Sequence, residues 1–261
     1  MKVYTKIQYT VITGASQGLG KSFALSLAKS NNNLILISLP NQSLKELAHH
    51  IQTIYKVEVL YFEIDFSSDE SIISLTKQLN EKYAIDILIN NAGTGGTKKM
   101  EDASLNYLNT IIQVNIKAIT ILTHQLLPNL KEQAHSYILN VSSMAAFSPL
   151  GYKTVYPASK AFVHSFSLGL AEELKDSSVS VSVINPGPMK TNPEIAARIE
   201  KQGFIGNLTL LNPEKVAEYS LNKMFKGKTF ILLNPVSWLL STLLPSWIQV
   251  PMMTKIIKRE A

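Results

Sequence analysis

The chain of 261 residues has no cysteine, which excludes a disulfide framework, a thiolate metal site and a cysteine nucleophile. No metal is expected. Arginine occurs twice, as Arg198 and Arg259, so despite a net charge of +6 the residue best suited to forked phosphate contacts is scarce, and the lysines are scattered among acids. A nucleic-acid partner is not expected. No Asp or Glu stands before Glu46. No apolar run reaches the ~20 residues that span a bilayer, because Pro235, Pro245 and Pro251 interrupt the most hydrophobic stretch. The opening MKVYTKIQYTVITG carries a lysine in its first apolar stretch and no small-residue cleavage site, so it reads as a strand and a cytoplasmic protein is expected. No Pro/Gly/Ser-rich linker divides the chain, and one domain spanning 1–261 is expected.

What is present is an alternation. Short runs rich in Ile, Val and Leu (YTVIT, NLILIS, VEVLYFEID, IDILINN, SYILNVSS, VSVSVIN and TFILLN) are separated by enough chain for a crossover helix. Runs that are apolar on both faces imply a parallel sheet covered by helices on each side, an α/β doubly wound architecture.

The first run leads into TGASQGLGKSFALSLAK, Thr13 to Lys29. Gly14, Gly18 and Gly20 sit at a strand-to-helix turn, where lack of a Cβ lets the backbone approach a pyrophosphate at a helix N-terminus. A tight turn with close helix packing would use the same glycines. Gly-x-x-x-Gly-x-Gly differs from the usual dinucleotide fingerprint, and the Gly-Lys-Ser/Thr ending of a triphosphate loop is absent, which disfavours ATP hydrolysis.

A second arrangement lies in TVYPASKAF. Tyr156 and Lys160 are one helical turn apart on one face, with Pro157 where a first turn tolerates it. One Tyr-x-x-x-Lys is expected by chance in such a chain, and Tyr219 with Lys223 is a second instance. The two differ upstream: thirteen residues before Tyr156 stands Ser143, at the end of an expected strand, whereas thirteen before Tyr219 stands Gly206. A tyrosine with a free pKa near ~10 is poorly matched to neutral pH as a proton donor. An ammonium roughly 4 to 5 Å away contributes on the order of 3 to 4 kcal/mol at an effective dielectric of ~20, so Tyr156 is expected to have a lowered pKa.

Together TGASQGLG, NNAG at Asn90 to Gly93, Asn115 in VNIKA, Ser143 in NVSSMAA, YPASK and NPGPMKT at Asn185 to Thr191 resemble the short-chain dehydrogenase/reductase family of the single-domain type. The likeness runs from Tyr9 to about Thr191. It implies a Rossmann-like sheet, a nicotinamide cofactor, a small carbonyl or alcohol substrate, a homodimer or homotetramer, and an active tetrad of Asn115, Ser143, Tyr156 and Lys160. On the family pattern Lys160 binds the nicotinamide ribose, Ser143 bonds the substrate oxygen, and Asn115 holds a water in a proton relay. Ser143 could instead merely close its strand, and Asn115 could be a helix-interior polar residue bonding backbone. Ser142 faces the other way and is the poorer choice.

Cofactor contacts implied by position are Gly14, Ser16, Gly18, Leu19 and Gly20 in the first loop, Ser38 after the second strand, Asp65 and Phe66 after the third, and Asn91, Ala92 and Gly93 after the fourth. Tyr156, Lys160, Pro186, Gly187, Met189 and Thr191 complete the set near the nicotinamide. Asp65 could alternatively cap the next helix. One departure matters: Ser38, Leu39 and Pro40 stand where the family reads the ribose 2′ group with an Asp or an Arg. Without an early acid, and with early charges that are all lysines, Lys21 among them, NADP(H) is slightly favoured and NAD(H) is possible.

Beyond NPGPMKT, residues 192–212 have the mixed character of a substrate lid. Residues 235–261 form a hydrophobic C-terminal extension whose stripe Val236, Leu239, Leu240, Leu243, Leu244, Trp247 and Ile248 has helical spacing. Burial on the core or a subunit, cover for a lipophilic substrate, and contact with a membrane surface through 236–259 are all open. The expected function is interconversion of a carbonyl and a secondary alcohol by hydride transfer, with a lipophilic ketone or 3-oxoacyl-type substrate. The alternatives are a noncatalytic dinucleotide sensor or a membrane-associated scaffold on the same fold. A sugar epimerase is disfavoured by the glycine spacing.

Overall fold

Leu34, Ile35, Leu36 and Ile37 are all fully buried, and alternation of side chains along a strand sends them to two different cores. Leu34 and Leu36 join Ile12, Phe23 and Leu27, while Ile35 and Ile37 join Val11, Ile72 and Leu126. A strand buried on both faces is the signature of a covered parallel sheet. In this computed structural model, which describes residues 7–189 and 210–258, the sheet has seven strands: β1 Gln8–Thr13, β2 Asn33–Ser38, β3 Val59–Glu63, β4 Ala84–Asn90, β5 Ser136–Val141, β6 Val179–Ile184 and β7 Phe230–Ile231. They pair in the order β3-β2-β1-β4-β5-β6-β7, all parallel. The expected doubly wound α/β sheet is therefore present.

Helices α1 Gly18–Lys29, α2 Leu44–Tyr55, α3 Asp69–Lys82, α4 Leu105–Ile112, α5 Ala118–Lys131 and α6 Val155–Glu173 follow the strands as crossovers. After β6 come α7 Pro213–Met224, then α8 Pro235–Leu243 and α9 Ser246–Ile257. Helix α7 supplies Val216, Leu221 and Met224 to the same core as Phe23 of α1. On the opposite face α3 and α5 contribute Leu79 and Leu122. Among the described residues no helix is long and apolar enough to cross a membrane.

The order reverses between β1 and β4, which lie side by side. Loops leaving these two strands diverge to opposite faces, opening a crevice at their C-terminal ends. That edge carries the site. A buried polar chain stiffens the sheet beneath it: Asn90 Nδ2 donates to Asn140 Oδ1 (2.9 Å) and Thr123 Oγ1 (3.1 Å), and Asn140 Nδ2 donates to Ser167 Oγ (2.9 Å). Such a network fixes strand register because its members have no water to fall back on.

Candidate active site

Gly14 and Gly18 adopt φ of 64° and 54°, a left-handed backbone open to glycine at little cost. Close approach constrains the loop further. A Cβ on Gly14 would lie 2.9 Å from Ala92 Cα, and one on Gly20 would lie 2.1 Å from the Gly14 carbonyl oxygen. Asn91 Nδ2 donates to the carbonyls of Thr13 (3.0 Å) and Gly14 (3.1 Å), while Thr13 Oγ1 accepts from the backbone N–H of Asn91 and of Ala92, each at 3.0 Å. The turn after β1 and the turn after β4 thus form one floor. Helix α1 rises from it without a side-chain cap at Gln17 and without an acid in its first turn, whereas Ser68 and Ser104 cap α3 and α4. Its first N–H groups are left to face an anion. Ser16 is half-buried in this loop; the Leu19 side chain is in the core, so only its backbone can face a cofactor. These features fit a dinucleotide pyrophosphate.

The corner after β2 differs from expectation. Ser38 is buried and its hydroxyl donates to the Leu39 carbonyl (3.1 Å), which turns it toward backbone instead of outward. A carboxylate is present after all: Glu63, at the end of β3, accepts from the Asn41 N–H at 3.2 Å. Reading acids only along the first two strands misses it, because β3 pairs Glu63 with Ser38. Asp65 is exposed and its Oδ1 accepts from Ser67 N–H (2.8 Å). It builds a turn, and the cap of α3 falls to Ser68 (3.3 Å from the Ser71 nitrogen). Phe66 is buried in the core behind.

The catalytic candidates converge from β5, α6 and the segment before α5. Ser143 follows β5 and caps a 3-10 turn, Met144–Phe147, with Ala145 N–H donating to its Oγ at 3.2 Å. Burial pushes the Tyr156 phenol above its ordinary value of 10.0, and a hydrogen bond with the Ser143 side chain pulls the other way. Lys160 is buried, and burial lowers its ammonium to about 8. Its Nζ donates to the Val141 carbonyl at 3.0 Å, one of its three N–H bonds, and stands 5.9 Å from the centre of the Tyr156 ring. A Cβ on Gly93 would come within 3.2 Å of that Nζ, so the ammonium sits directly beside the turn after β4. The direction is opposite to the expected lowering of Tyr156: desolvation of the phenol outweighs the Ser143 hydrogen bond.

Asn115 lies in a π-helical turn, Gln113–Lys117, ahead of α5. Its Nδ2 donates to the Thr94 carbonyl (2.8 Å) and to Ser159 Oγ (2.9 Å), and its Oδ1 accepts from Thr94 N–H (2.8 Å). The side chain clamps the turn after β4 to α6. Ser142 donates to the Lys160 carbonyl at 2.7 Å and is structural, as its strand parity implies. The Tyr219 and Lys223 pair on α7 has a similar separation, 5.3 Å from ammonium to ring centre, but Tyr219 is exposed.

Sequence reasoning overlooks Gly95, where a Cβ would fall 2.6 Å from Tyr156 Cδ2; the GTGG run at 93–96 is its signal. Asn185 it passes over within NPGPMKT: its Nδ2 donates to the Ser143 carbonyl (3.1 Å) and its Oδ1 meets His164 Nδ1 (3.1 Å). Pro186 accepts from Met144 N–H at 3.0 Å, holding Gly187 beside the serine turn, and Met189 pairs with Leu211 in an isolated bridge. Thr191 and most of the expected lid, 192–209, lie outside the described residues.

Comparison with known proteins agrees with the fold. The chain is 34% identical over 182 residues to an uncharacterized oxidoreductase of Staphylococcus saprophyticus, covering 69% of this chain and 78% of that one. It is 33% identical over 184 residues to very-long-chain 3-oxoacyl-CoA reductase-A of Danio rerio, covering 69% of this chain and 57% of the relative, so just over half of that protein is matched. In structure it superposes on a short-chain dehydrogenase from Sphingobium yanoikuyae in complex with NADPH, with TM-score 0.77, 26% identity and coverage of 86% and 87% of the two chains. A 7beta-hydroxysteroid dehydrogenase shares the fold at TM-score 0.85 and 22% identity, covering 95% of this chain and 99% of that one. The pattern of the short chain dehydrogenase family matches residues 8–202, and the chain belongs to that family of oxidoreductases.

Proposed function

We propose that the protein is an NAD(P)(H)-dependent reductase of a lipophilic ketone, with 3-oxoacyl-type compounds as the favoured class. The observation that carries this reading is the convergence of Ser143, Tyr156 and Lys160 beside the glycine floor of the crevice. When bound, the nicotinamide supplies the hydride. Every other requirement falls to the chain: the carbonyl oxygen needs a positioned donor and the new alkoxide needs a proton.

Tyr156 meets the second requirement. Held above 10.0 by burial, its phenol stays protonated at neutral pH, the state that reduction consumes. Ser143, hydrogen-bonded to the same phenol, can share the substrate oxygen with it. The Lys160 ammonium favours the phenolate left after transfer. Gly14, Gly18 and the uncapped start of α1 would hold the pyrophosphate, and Lys160 with the turn at Asn91 to Gly93 would hold the nicotinamide half. Glu63 weighs against a 2′-phosphate by charge repulsion, so the 2′ preference turns on that carboxylate.

The substrate class draws on three features. The cleft beside Tyr156 is narrow and is lined by Met100, Tyr107, Leu108, Ile111 and Val155 together with Lys98, Lys153 and Thr154, a wall that is apolar in part and would have to open to admit an acyl chain. Lys98 lies over the Tyr107 ring at 5.0 Å, bringing a cation to the same cleft. The Danio rerio relative is named for a 3-oxoacyl-CoA substrate. Oxidation of NADPH and of NADH against a panel of ketones, with 3-oxoacyl thioesters, cyclic ketones and short polar ketones compared, tests the reading. Turnover that rises with chain length or ring size supports it; turnover confined to small polar ketones, or none, contradicts it.

A further inference from the structure

Helix α8 is amphipathic in the wrong sense for a helix that only packs inward. Val236, Leu239, Leu240 and Leu243 recur at three- and four-residue spacing and are all exposed, Leu243 at 71%. Trp238 turns the other way, onto Phe230 with ring centres 6.0 Å apart. Helix α9 continues the surface with Trp247, 76% exposed, and Met252. Lys255 and Lys258, both exposed, follow Trp247 and Pro251 on the same face of α9. From Pro235 to Arg259 the sequence holds Lys255, Lys258 and Arg259 and no acid, and Glu260 follows.

This face is held firmly. Gln249 is buried, and its Nε2 donates to Ser148 Oγ (2.6 Å), the Ser241 carbonyl (3.0 Å) and the Phe147 carbonyl (3.3 Å). Gly151 N–H donates to Thr254 Oγ1 at 2.9 Å, and a Cβ at 151 would strike Thr254 Cγ2 at 2.6 Å. The partner loop, 147–151, is the one that follows Ser143. The extension is thus latched to the serine turn by its polar side while its apolar side faces out.

We propose that the outward face of α8 and α9 docks the protein on an anionic lipid bilayer, holding the loop after Ser143 close to the lipid. Charge decides the occupant. Acidic headgroups complement exposed Lys255 and Lys258, and exposed Trp247 suits the headgroup boundary. Delivery of a lipophilic ketone from the membrane to the site rests on the function proposed above; the docking itself does not.

Co-sedimentation of the full chain with phosphatidylcholine vesicles, with and without phosphatidylserine, tests the proposal alongside light scattering of the protein alone. The wild type should bind acidic vesicles, the double variant Leu243→Glu/Trp247→Glu should bind at least roughly tenfold more weakly, and Lys255→Glu/Lys258→Glu should lose the preference for acidic lipid. Tyr156→Phe should sediment like the wild type, which separates docking from chemistry, and circular dichroism with thermal unfolding reports whether each surface variant is folded. Absence of vesicle binding, binding indifferent to both double variants, or a glutamate variant that turns a dimer into a monomer without any lipid effect would each overturn it.

Discussion

Lys160 stands one helical turn beyond Tyr156, with its Nζ 5.9 Å from the Tyr156 ring centre and fixed by a 3.0 Å bond to the Val141 carbonyl. Burial holds that ammonium at about 8, so its charge is present below pH 8 and lost above. The reductive kcat/KM should therefore be level through neutral pH and fall about tenfold per pH unit above about 8. A profile flat to pH 10 would remove Lys160 from the chemistry. Lys160→Met should lower turnover by at least ~100-fold and weaken cofactor binding.

Gly95 touches the Tyr156 ring so closely that Gly95→Ala must push the ring or the turn aside. We expect kcat/KM to drop at least ~10-fold, about 1.4 kcal/mol in the barrier, because small displacements of a proton donor are costly. Thermal unfolding measured on the same variant should move by only a few degrees, which distinguishes misplacement from unfolding.

Glu63 at the Asn41 corner gives a selectivity test. Glu63→Gln removes the charge and keeps an acceptor for the Asn41 N–H. Fluorescence titration should show NADPH affinity rising by about tenfold relative to NADH; an unchanged ratio would mean the 2′ group lies elsewhere.

Asp86 in β4 lies far from the site chemistry, at the point where the β1–β4 register shifts. Burial raises its carboxyl from 3.8 to about 6, opposed by hydrogen bonds from its own and the Ile87 N–H. The native state thus binds the proton more tightly than the unfolded chain, so this group's contribution is full below pH 3.8 and is lost as pH rises through about 6. Asp86→Asn should be more stable than the wild type above pH 6 by on the order of 1 kcal/mol, with the difference vanishing near pH 4 in denaturant titrations.

The sheet was legible because each of its core strands is apolar on both faces, a pattern that local sequence displays directly. The glycine loop and the Ser143, Tyr156 and Lys160 set were readable through the resemblance of their motifs to the family, with spacing adding that Tyr156 and Lys160 share one helical face. What escaped depends on neighbours distant in the chain. Glu63 reaches the Asn41 corner only through β2–β3 pairing, and Gly95 matters only because Tyr156 folds onto it from 61 positions downstream. The expected shift of Tyr156 failed for the same reason: a charge pair can be read from spacing, but the desolvation that opposes it depends on everything packed around the phenol.

Turnover and cofactor affinity of Tyr156→Phe, measured on one preparation, test the central claim most directly. The account predicts a dissociation constant for NADPH within about twofold of the wild type and a kcat lower by at least ~100-fold, the scale of positioned acid catalysis. Turnover that survives the loss of the phenolic hydroxyl would contradict it.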